Sequence, residues 1–323
     1  MRDRYDRKID YVRISITDRC NLRCKYCMPE DGIKLLEHSD ILSYEKILKI
    51  CEAFTKIGIT TFKITGGEPL VRKGVIEFIK ALKALDNVKE VTLTTNGVLI
   101  DRMAESLIES KVDRINVSLD TLDRDRFFEI TRRDSLDIVL KGIYRMVDLG
   151  FKNLKINSVP IKPLISKDLL GLANLAKDMP ISVRFIELMP IGKGNEYIGS
   201  TREDILRILE ANFGRALAYE GKLGNGPAKY IKFKDFIGYI GFIEALNDKF
   251  CDDCNRIRLS ATGFLKLCLH YDYGFDIKDL VDDLGVDDLA IKLENIIYKK
   301  PKSHNFGERK NHADNKNMNQ IGG

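Results

Sequence analysis

The stretch Tyr11-Val12-Arg13-Ile14-Ser15-Ile16-Thr17-Asp18-Arg19-Cys20-Asn21-Leu22-Arg23-Cys24-Lys25-Tyr26-Cys27 decides the fold. Its first half alternates branched apolar and polar residues, which predicts a strand over Val12–Thr17. Its second half is a C-x3-C-x2-C array directly after that strand. Loops at the C-terminal ends of parallel strands are where α/β folds place their chemistry.

Outward from this point, further β-rich runs recur at Thr61–Thr65, Val91–Thr95, Arg114–Leu119, Leu154–Val159 and Val183–Leu188. Between them lie helical patterns: Tyr44–Ile57, Gly74–Leu85, Asp101–Glu109, Ser135–Leu149 and Ser166–Lys177. Asp101, Ser135 and Ser166 are the expected N-caps of the last three. The repeated strand–helix alternation predicts a parallel sheet with right-handed crossovers, either doubly wound or curved into part of a (β/α) barrel. The pattern changes after Pro190. A Gly-rich loop over 191–200 is followed by a helix, Thr201–Asn212, and then by a turn-rich connection. Short strands follow at Lys229–Lys234, Phe236–Ile243, Arg256–Ser260 and Phe264–Leu267, with helix over Ile277–Tyr298. The expected organisation is a barrel unit over 1–220, a small C-terminal unit over 221–300 and a polar tail over 301–323. Such a tail is expected to be disordered unless a cavity or partner orders it.

The chain has 323 residues, 44% apolar and 31% charged, and a net charge of +5. This is globular composition, and the charge excess is too mild for a nucleic-acid binder. No apolar run is long enough to span a bilayer, and the charged N-terminus has no signal-like core. A cytoplasmic protein is the expectation. Six of the seven cysteines fall into two groups of three, Cys20, Cys24, Cys27 and Cys251, Cys254, Cys268. Grouped cysteines of odd total point to metal or redox chemistry and away from a disulfide framework. Cys51 lies on the apolar face of a predicted helix and reads as a core residue.

Three thiolates on one loop can hold three irons of a [4Fe–4S] cluster and leave the fourth open. Zinc usually takes four protein ligands, and nothing near Cys20–Cys27 supplies a fourth. For the second group, spacing alone leaves two readings open: a second cluster, or a Cys3His zinc site using His270.

C-x3-C-x2-C with Tyr26 before its last cysteine resembles the signature of the radical S-adenosylmethionine superfamily. Gly66-Gly67-Glu68-Pro69 after the second strand resembles that superfamily's GGEP motif. The resemblance implies that Tyr26, Gly67, Ser118 and Met189 contact S-adenosylmethionine. Taken alone, Gly-Gly-Glu-Pro would be an ordinary turn, Ser118 a cap and Met189 a packing residue.

Further segments narrow the resemblance to the GTP 3′,8-cyclases of molybdenum cofactor biosynthesis. They are Thr17–Pro29, Leu93-Thr94-Thr95-Asn96-Gly97, Ile115–Asp120, Arg184–Pro190, Cys251–Ser260 with Cys268, and the terminal Gln320-Ile321-Gly322-Gly323. This resemblance implies a partial (β/α)6 barrel with a C-terminal domain over its open side. It implies two [4Fe–4S] clusters, S-adenosylmethionine and GTP. The reaction expected is removal of the ribose 3′ hydrogen by a 5′-deoxyadenosyl radical and closure of C3′ onto guanine C8. It assigns GTP contact to Arg13, Lys63, Thr94, Lys155, Arg256, Ile257 and Arg258, and catalytic roles to Arg256, Arg258, Gly322 and Gly323. Guanidinium and ammonium groups suit a triphosphate through charge-assisted hydrogen bonds. The partners implied are an electron donor and a cyclic pyranopterin monophosphate synthase that takes the product, with no nucleic acid or membrane and room for a homodimer. Two positions depart from the pattern: Thr61 stands where some relatives carry Lys, and Lys63 where many carry Arg. Two rival readings are a radical enzyme that matures peptides with an auxiliary cluster, and a zinc-stabilised nucleic-acid-binding module.

Overall fold

The computed structural model describes residues 1–247, 249–304 and 318–322. Six parallel strands form its centre: β1 (Tyr11–Ser15), β2 (Thr61–Thr65), β3 (Glu90–Thr95), β4 (Arg114–Ser118), β5 (Leu154–Ser158) and β6 (Ser182–Ile186). They lie side by side in sequence order. A doubly wound sheet reverses its order, so sequential order marks the barrel alternative. The crossovers carry α1 (Tyr44–Lys56), α2 (Val75–Ala84), α3 (Ile100–Glu109), α4 (Arg124–Thr131), α5 (Leu136–Asp148) and α6 (Ser166–Asp178).

The barrel does not close. After β6 come α7 (Arg202–Phe213), β7 (Leu217–Tyr219), β8 (Lys229–Lys232), β9 (Tyr239–Ile243), β10 (Arg256–Leu259), β11 (Phe264–Lys266) and β12 (Phe275–Asp276). The strand β10 pairs parallel to β1, and β9 pairs parallel to β6. The result is one sheet, β12-β11-β10-β1-β2-β3-β4-β5-β6-β9-β8-β7. The C-terminal strands therefore extend both edges of the central sheet.

Side-chain alternation along these strands runs opposite to that of a filled barrel. Val12, Ile14, Phe62, Ile64, Val91, Leu93, Ile115, Val117, Leu154, Ile156, Val183 and Phe185 are all buried in the apolar core. Their neighbours on the other face are Arg13, Lys63, Thr92, Thr94, Arg114, Asn116, Asn157 and Arg184, which line a cavity. Period-two alternation thus sends the apolar set to the helices and the polar set inward.

The real N-caps are Ser43, Asp123 and Thr201, whose side chains accept from Lys46 N, Arg126 N and Asp204 N. The expected caps differ. Asp101 lies inside α3 and pairs instead with Lys141 at 2.9 Å and Arg145 at 3.3 Å. Ser135 stands at the cap of α5 without a capping hydrogen bond, and Ser166 is the first residue of α6. The C-terminal helix is also two pieces, α8 (Lys278–Asp283) and α9 (Val286–Tyr298), broken where Leu284 turns extended before Gly285. Helices α8 and α9 pack on α1, with ion pairs Lys46–Asp282 to α8 and Lys56–Asp287 to α9, each 2.6 Å. A single turn, α10 (Met318–Ile321), buries Ile321. Among the described residues no helix is long and apolar enough to cross a membrane.

Phe62 on β2 is fully buried where helix and sheet layers meet. Phe62→Ala should cost about 3–5 kcal/mol, the usual range for such a cavity, and this should appear as a lowered denaturant midpoint.

Candidate active site

The inward faces of the strands enclose a cavity of about 400 Å³ lined by all six clustered cysteines. Cys51 is apart, fully buried on α1, with its thiol pushed up by burial alone. The two triads lie at opposite ends of one strand pair. Cys20, Cys24 and Cys27 follow the C-terminal end of β1. Cys251 and Cys254 precede the N-terminal end of its parallel neighbour β10, and Cys268 follows β11, which runs antiparallel to β10.

Between the triads the register builds a row of cations. Lys266, Arg258, Arg13, Lys63, Thr92 and Arg114 are successive cross-strand partners. Arg184 and Arg256 line the same space. Among the described residues no carboxylate pairs with Arg13, Lys63, Arg184, Arg256 or Arg258. Their partners are neutral. Arg184 donates to Asn157 Oδ1 at 2.9 Å and Asn116 Oδ1 at 2.5 Å, and Arg256 donates to the Asn225 carbonyl at 3.1 Å. Burial, then Arg13, Arg184, Arg256 and Arg114, hold the Lys63 ammonium well below its ordinary range. Burial and the neighbouring Arg13 likewise depress Arg258. The Thr92 and Thr94 hydroxyls are buried without a hydrogen-bond partner. Unpaired cations and orphaned hydroxyls in one cavity describe a site for a multiply charged, oxygen-rich anion.

At the β1 end, the cysteine loop is fixed by main-chain bonds to the end of α4. Arg23 N and Lys25 N donate to the Thr131 and Ile130 carbonyls at 2.9 Å each. Arg132, at positive φ, donates to the Arg23 carbonyl. Burial pushes the Cys24 thiol well up, and Cys27, Asp120 and Cys20 add to it. Three crowded thiolates of this kind fit a bound iron centre, whose positive charge offsets their repulsion. Cys20 Sγ also accepts from Leu22 N at 3.5 Å and Asn96 Nδ2 at 3.8 Å, the type of contact that tunes a cluster. Among the described residues no group of three His, Cys, Asp or Glu side chains is placed to hold a single metal ion.

Tyr26, Gly67, Ser118 and Met189 come together on this side of the cavity. Tyr26 donates to Asp120 Oδ2 at 2.5 Å. The two glycines have a local reason. A Cβ on Gly66 would stand 2.6 Å from the Thr17 carbonyl oxygen, and one on Gly67 2.4 Å from that of Arg19. Gly67 N and Glu68 N donate to those same carbonyls at 2.7 Å each. Glu68 accepts from Leu70 N, Thr95 Oγ1 and Asn96 N, while burial pushes its carboxyl up to about 7. The motif thus joins the first three strand ends to the cysteine loop.

Of the remaining expected contacts, Arg13, Lys63, Thr94, Arg256 and Arg258 reach the cavity wall. Ile257 also borders it, but its side chain belongs to the apolar core, so only its main chain is on offer. Lys155 is placed differently. It is buried on the inward face of β5, cross-strand from Asn116, but does not itself border the described cavity; its ammonium donates to the Leu223 carbonyl and to Tyr230 Oη. Burial, then Arg184 and Arg114, push it down to about 6. Thr61 receives a 3.4 Å contact from Asn225 Nδ2, which also donates to Glu90. Gly322, at φ 82°, rests on Ser15 and Thr65, and its carbonyl accepts from Arg258 Nη1 at 2.6 Å. Gly323 lies outside the described residues.

Comparison with known proteins follows this geometry closely. Residues 14–176 match the radical SAM superfamily model, and residues 181–306 match the model for Molybdenum Cofactor Synthesis C. The GTP 3′,8-cyclase of Clostridium perfringens is 43% identical over the full length of both chains. The chain belongs to the GTP 3′,8-cyclase family. The family's enzymes from Petrotoga mobilis and Alkaliphilus oremlandii are each 41% identical, again over both full chains. Radical SAM membership brings a four-iron cluster and S-adenosylmethionine with it. Among solved structures, Streptococcus suis SuiB bound to S-adenosylmethionine superposes with a TM-score of 0.64 at 17% identity, covering 88% of this chain and 68% of that one. That likeness concerns the fold. The full-length cyclase relatives leave no room for the zinc-stabilised nucleic-acid-binding module.

Sequence reading missed several cyclase residues that line the cavity: Arg114, Asn116, Asn157, Arg7 and Lys300. The first three occupy inward positions on predicted strands, so alternation from Ser118 on β4 and from Lys155 on β5 could have found them. Arg7 was hidden in a charged N-terminus and Lys300 in a basic run.

Two outcomes follow from this packing. Gly67→Ala should reduce iron bound at the first triad, because the three nearest crowding atoms are all backbone; iron per chain in a variant lacking the second triad checks this. Lys155 supplies a pH dependence. Its pKa falls from 10.5 in the unfolded chain to about 6 on folding, so folding releases a proton between those values and stability rises with pH there. Lys155→Met should flatten that rise between about pH 6.5 and 9 in denaturant midpoints; an unchanged slope would contradict it.

Proposed function

We infer that this chain converts GTP to (8S)-3′,8-cyclo-7,8-dihydroguanosine 5′-triphosphate, the first step of molybdenum cofactor biosynthesis. The observation that carries the reading is that Arg13, Lys63, Arg184, Arg256 and Arg258, with no carboxylate partner among the described residues, line one cavity with both cysteine triads. A triphosphate carries about four negative charges and would replace the missing carboxylates.

In this reading Cys20, Cys24 and Cys27 hold the cluster that works with S-adenosylmethionine, and Tyr26, Gly67, Ser118 and Met189 seat that cofactor. Cys251, Cys254 and Cys268 hold a second four-iron cluster. When bound, the first cluster and S-adenosylmethionine supply abstraction of a hydrogen atom from the ribose. The chain's own residues do the positioning. Arg13, Lys63, Arg256 and Arg258 neutralise the phosphates, with Arg184 beside them. Thr94 offers its orphaned hydroxyl, and the Ile257 main chain borders the same space. Lys155, on the inward face of β5, adds a further cation to the GTP contacts while it donates to Tyr230 Oη and the Leu223 carbonyl. Met318 and Ile321 bring Gly322 to Arg258, which fixes that guanidinium and helps to exclude water. Gly322 comes this close to Ser15 and Thr65 because it carries no Cβ, and Gly323 is assigned to the mechanism with it.

We divide the chain functionally near residue 220, although the sheet is continuous across that point. The reaction requires a reductant and a following enzyme that takes the product, and we place it in the cytoplasm. A peptide-maturing role has no use for Arg256 and Arg258 facing Arg13.

Anaerobic incubation with GTP, S-adenosylmethionine and a reductant is the test. The intact protein should yield the cyclised triphosphate. Deletion of Gly322 and Gly323, or Arg258→Ala, should lower turnover by at least about two orders of magnitude, typical for loss of a preorganised electrostatic contact, while iron per chain stays unchanged. Full turnover by the deletion variant would remove the tail from the mechanism, and no product from the intact protein would refute the reading.

A further inference from the structure

The second triad is drawn from separate segments. Cys251 and Cys254 lie on the loop before β10, and Cys268 lies just past β11. Two buried cations outside that loop join these segments. Arg7 has five N–H groups and five matching contacts. Its Nε donates to Asp3 Oδ2 at 2.8 Å. Its Nη1 donates to the Cys251 carbonyl at 2.8 Å and the Lys302 carbonyl at 2.7 Å. Its Nη2 donates to the Pro301 carbonyl at 2.7 Å and lies 2.6 Å from Asp3 Oδ2. Asp3 is itself fixed, because its Oδ1 accepts from Tyr5 N and Arg7 N at 3.0 Å each.

Lys300, 2% exposed at the end of α9, is the second cation. Its ammonium donates to the Arg256 carbonyl at 2.8 Å and to the Leu267 carbonyl. Arg256 is two residues beyond Cys254, and Leu267 immediately precedes Cys268. Each cysteine of the triad therefore has a main-chain carbonyl on it, or within two residues, held by Arg7 or Lys300. Both side chains border the same cavity as the sulfurs.

We propose that Arg7 and Lys300 are positioning residues for the second cluster, Arg7 setting the spacing of its cysteines and Lys300 supplying a positive charge that raises its reduction potential. This rests on the reading of Cys251, Cys254 and Cys268 as a four-iron site. The two roles differ because Arg7 is neutralised by Asp3, whereas the Lys300 ammonium is bonded to carbonyls. A nearby cation favours the more negative, reduced form of a cluster. Lysine at position 7 would keep the charge but offer only three donors to five contacts.

The test uses the full chain with Cys20, Cys24 and Cys27 replaced by alanine, so that iron and spectra report the second triad alone. After anaerobic reconstitution this parent should hold about four irons per chain. Arg7→Lys should lose at least half of that iron with an unchanged thermal midpoint. Lys300→Gln, which keeps a donor and drops the charge, should retain its iron while its midpoint potential, followed by electron paramagnetic resonance, moves to a more negative value. Parent-like behaviour of either variant overturns the proposal. Should Arg7→Lys fail to fold, the Lys300→Gln potential decides alone. A parent that binds no iron refutes the cluster reading itself, which is a different result.

Discussion

Arg13, Lys63, Arg184, Arg256 and Arg258 line one cavity, and among the described residues none of them has a carboxylate partner. This is the constraint on which the rest of the molecule depends. Like charges a few ångströms apart in a poorly polarisable interior repel strongly. Only a scaffold stable for other reasons can hold them. The outward-facing Val, Ile, Leu and Phe of the same strands, sealed under α1 to α6, provide that stability. One sheet therefore carries opposite solvents on its two faces. The apolar face folds the chain, and the polar face waits for an anion.

The pairing of β10 with β1 converts this sheet into a site with two poles. Because the pairing is parallel, the loop after β1 and the loop before β10 lie at opposite ends of the pair. The register then sets Arg258 beside Arg13 and Arg13 beside Lys63. A one-residue slip of β10 against β1 would turn Arg258 to the helix layer. Spacing between poles is thus a property of strand length and register. It does not depend on flexible loops, which suits chemistry that must hold reacting groups at fixed separation. Gly322 completes the wall where its carbonyl meets Arg258.

Most of the central fold was readable because its signals are local. Thr61–Thr65 and Arg114–Ser118 announce themselves by alternation, and the C-x3-C-x2-C array places the first triad without any knowledge of contacts. Failures came where a local signal was outweighed. Asp101 has the chemistry of a cap, but Lys141 and Arg145 on α5 claim its carboxylate. Helix α4 was missed because Arg124-Asp125-Arg126 reads as solvated charge, and only Phe127, Ile130 and Thr131 are buried. The bond from the Lys155 ammonium to the Leu223 carbonyl was equally hidden, because its two ends lie 68 residues apart. Arg7 and Lys300 lie outside any recognisable pattern, since their partners are main-chain carbonyls, which no side-chain code reveals.

The partnership of β1 with β10 also has a cost in time. A ribosome adding roughly 5–20 residues per second needs about ten to fifty seconds between finishing β1 and delivering β10. For that interval the nascent sheet carries an open edge made of Tyr11-Val12-Arg13-Ile14-Ser15, with N–H and C=O groups ready to pair with any other strand. Arg13 sits at the middle of that edge. The same side chain that faces its neighbouring cations in the finished protein stands, during synthesis, as a charge in an otherwise adhesive segment. Charged residues in such places discourage edge-to-edge association. A residue placed for the ligand would thus protect the chain before there is any cavity for a ligand to enter.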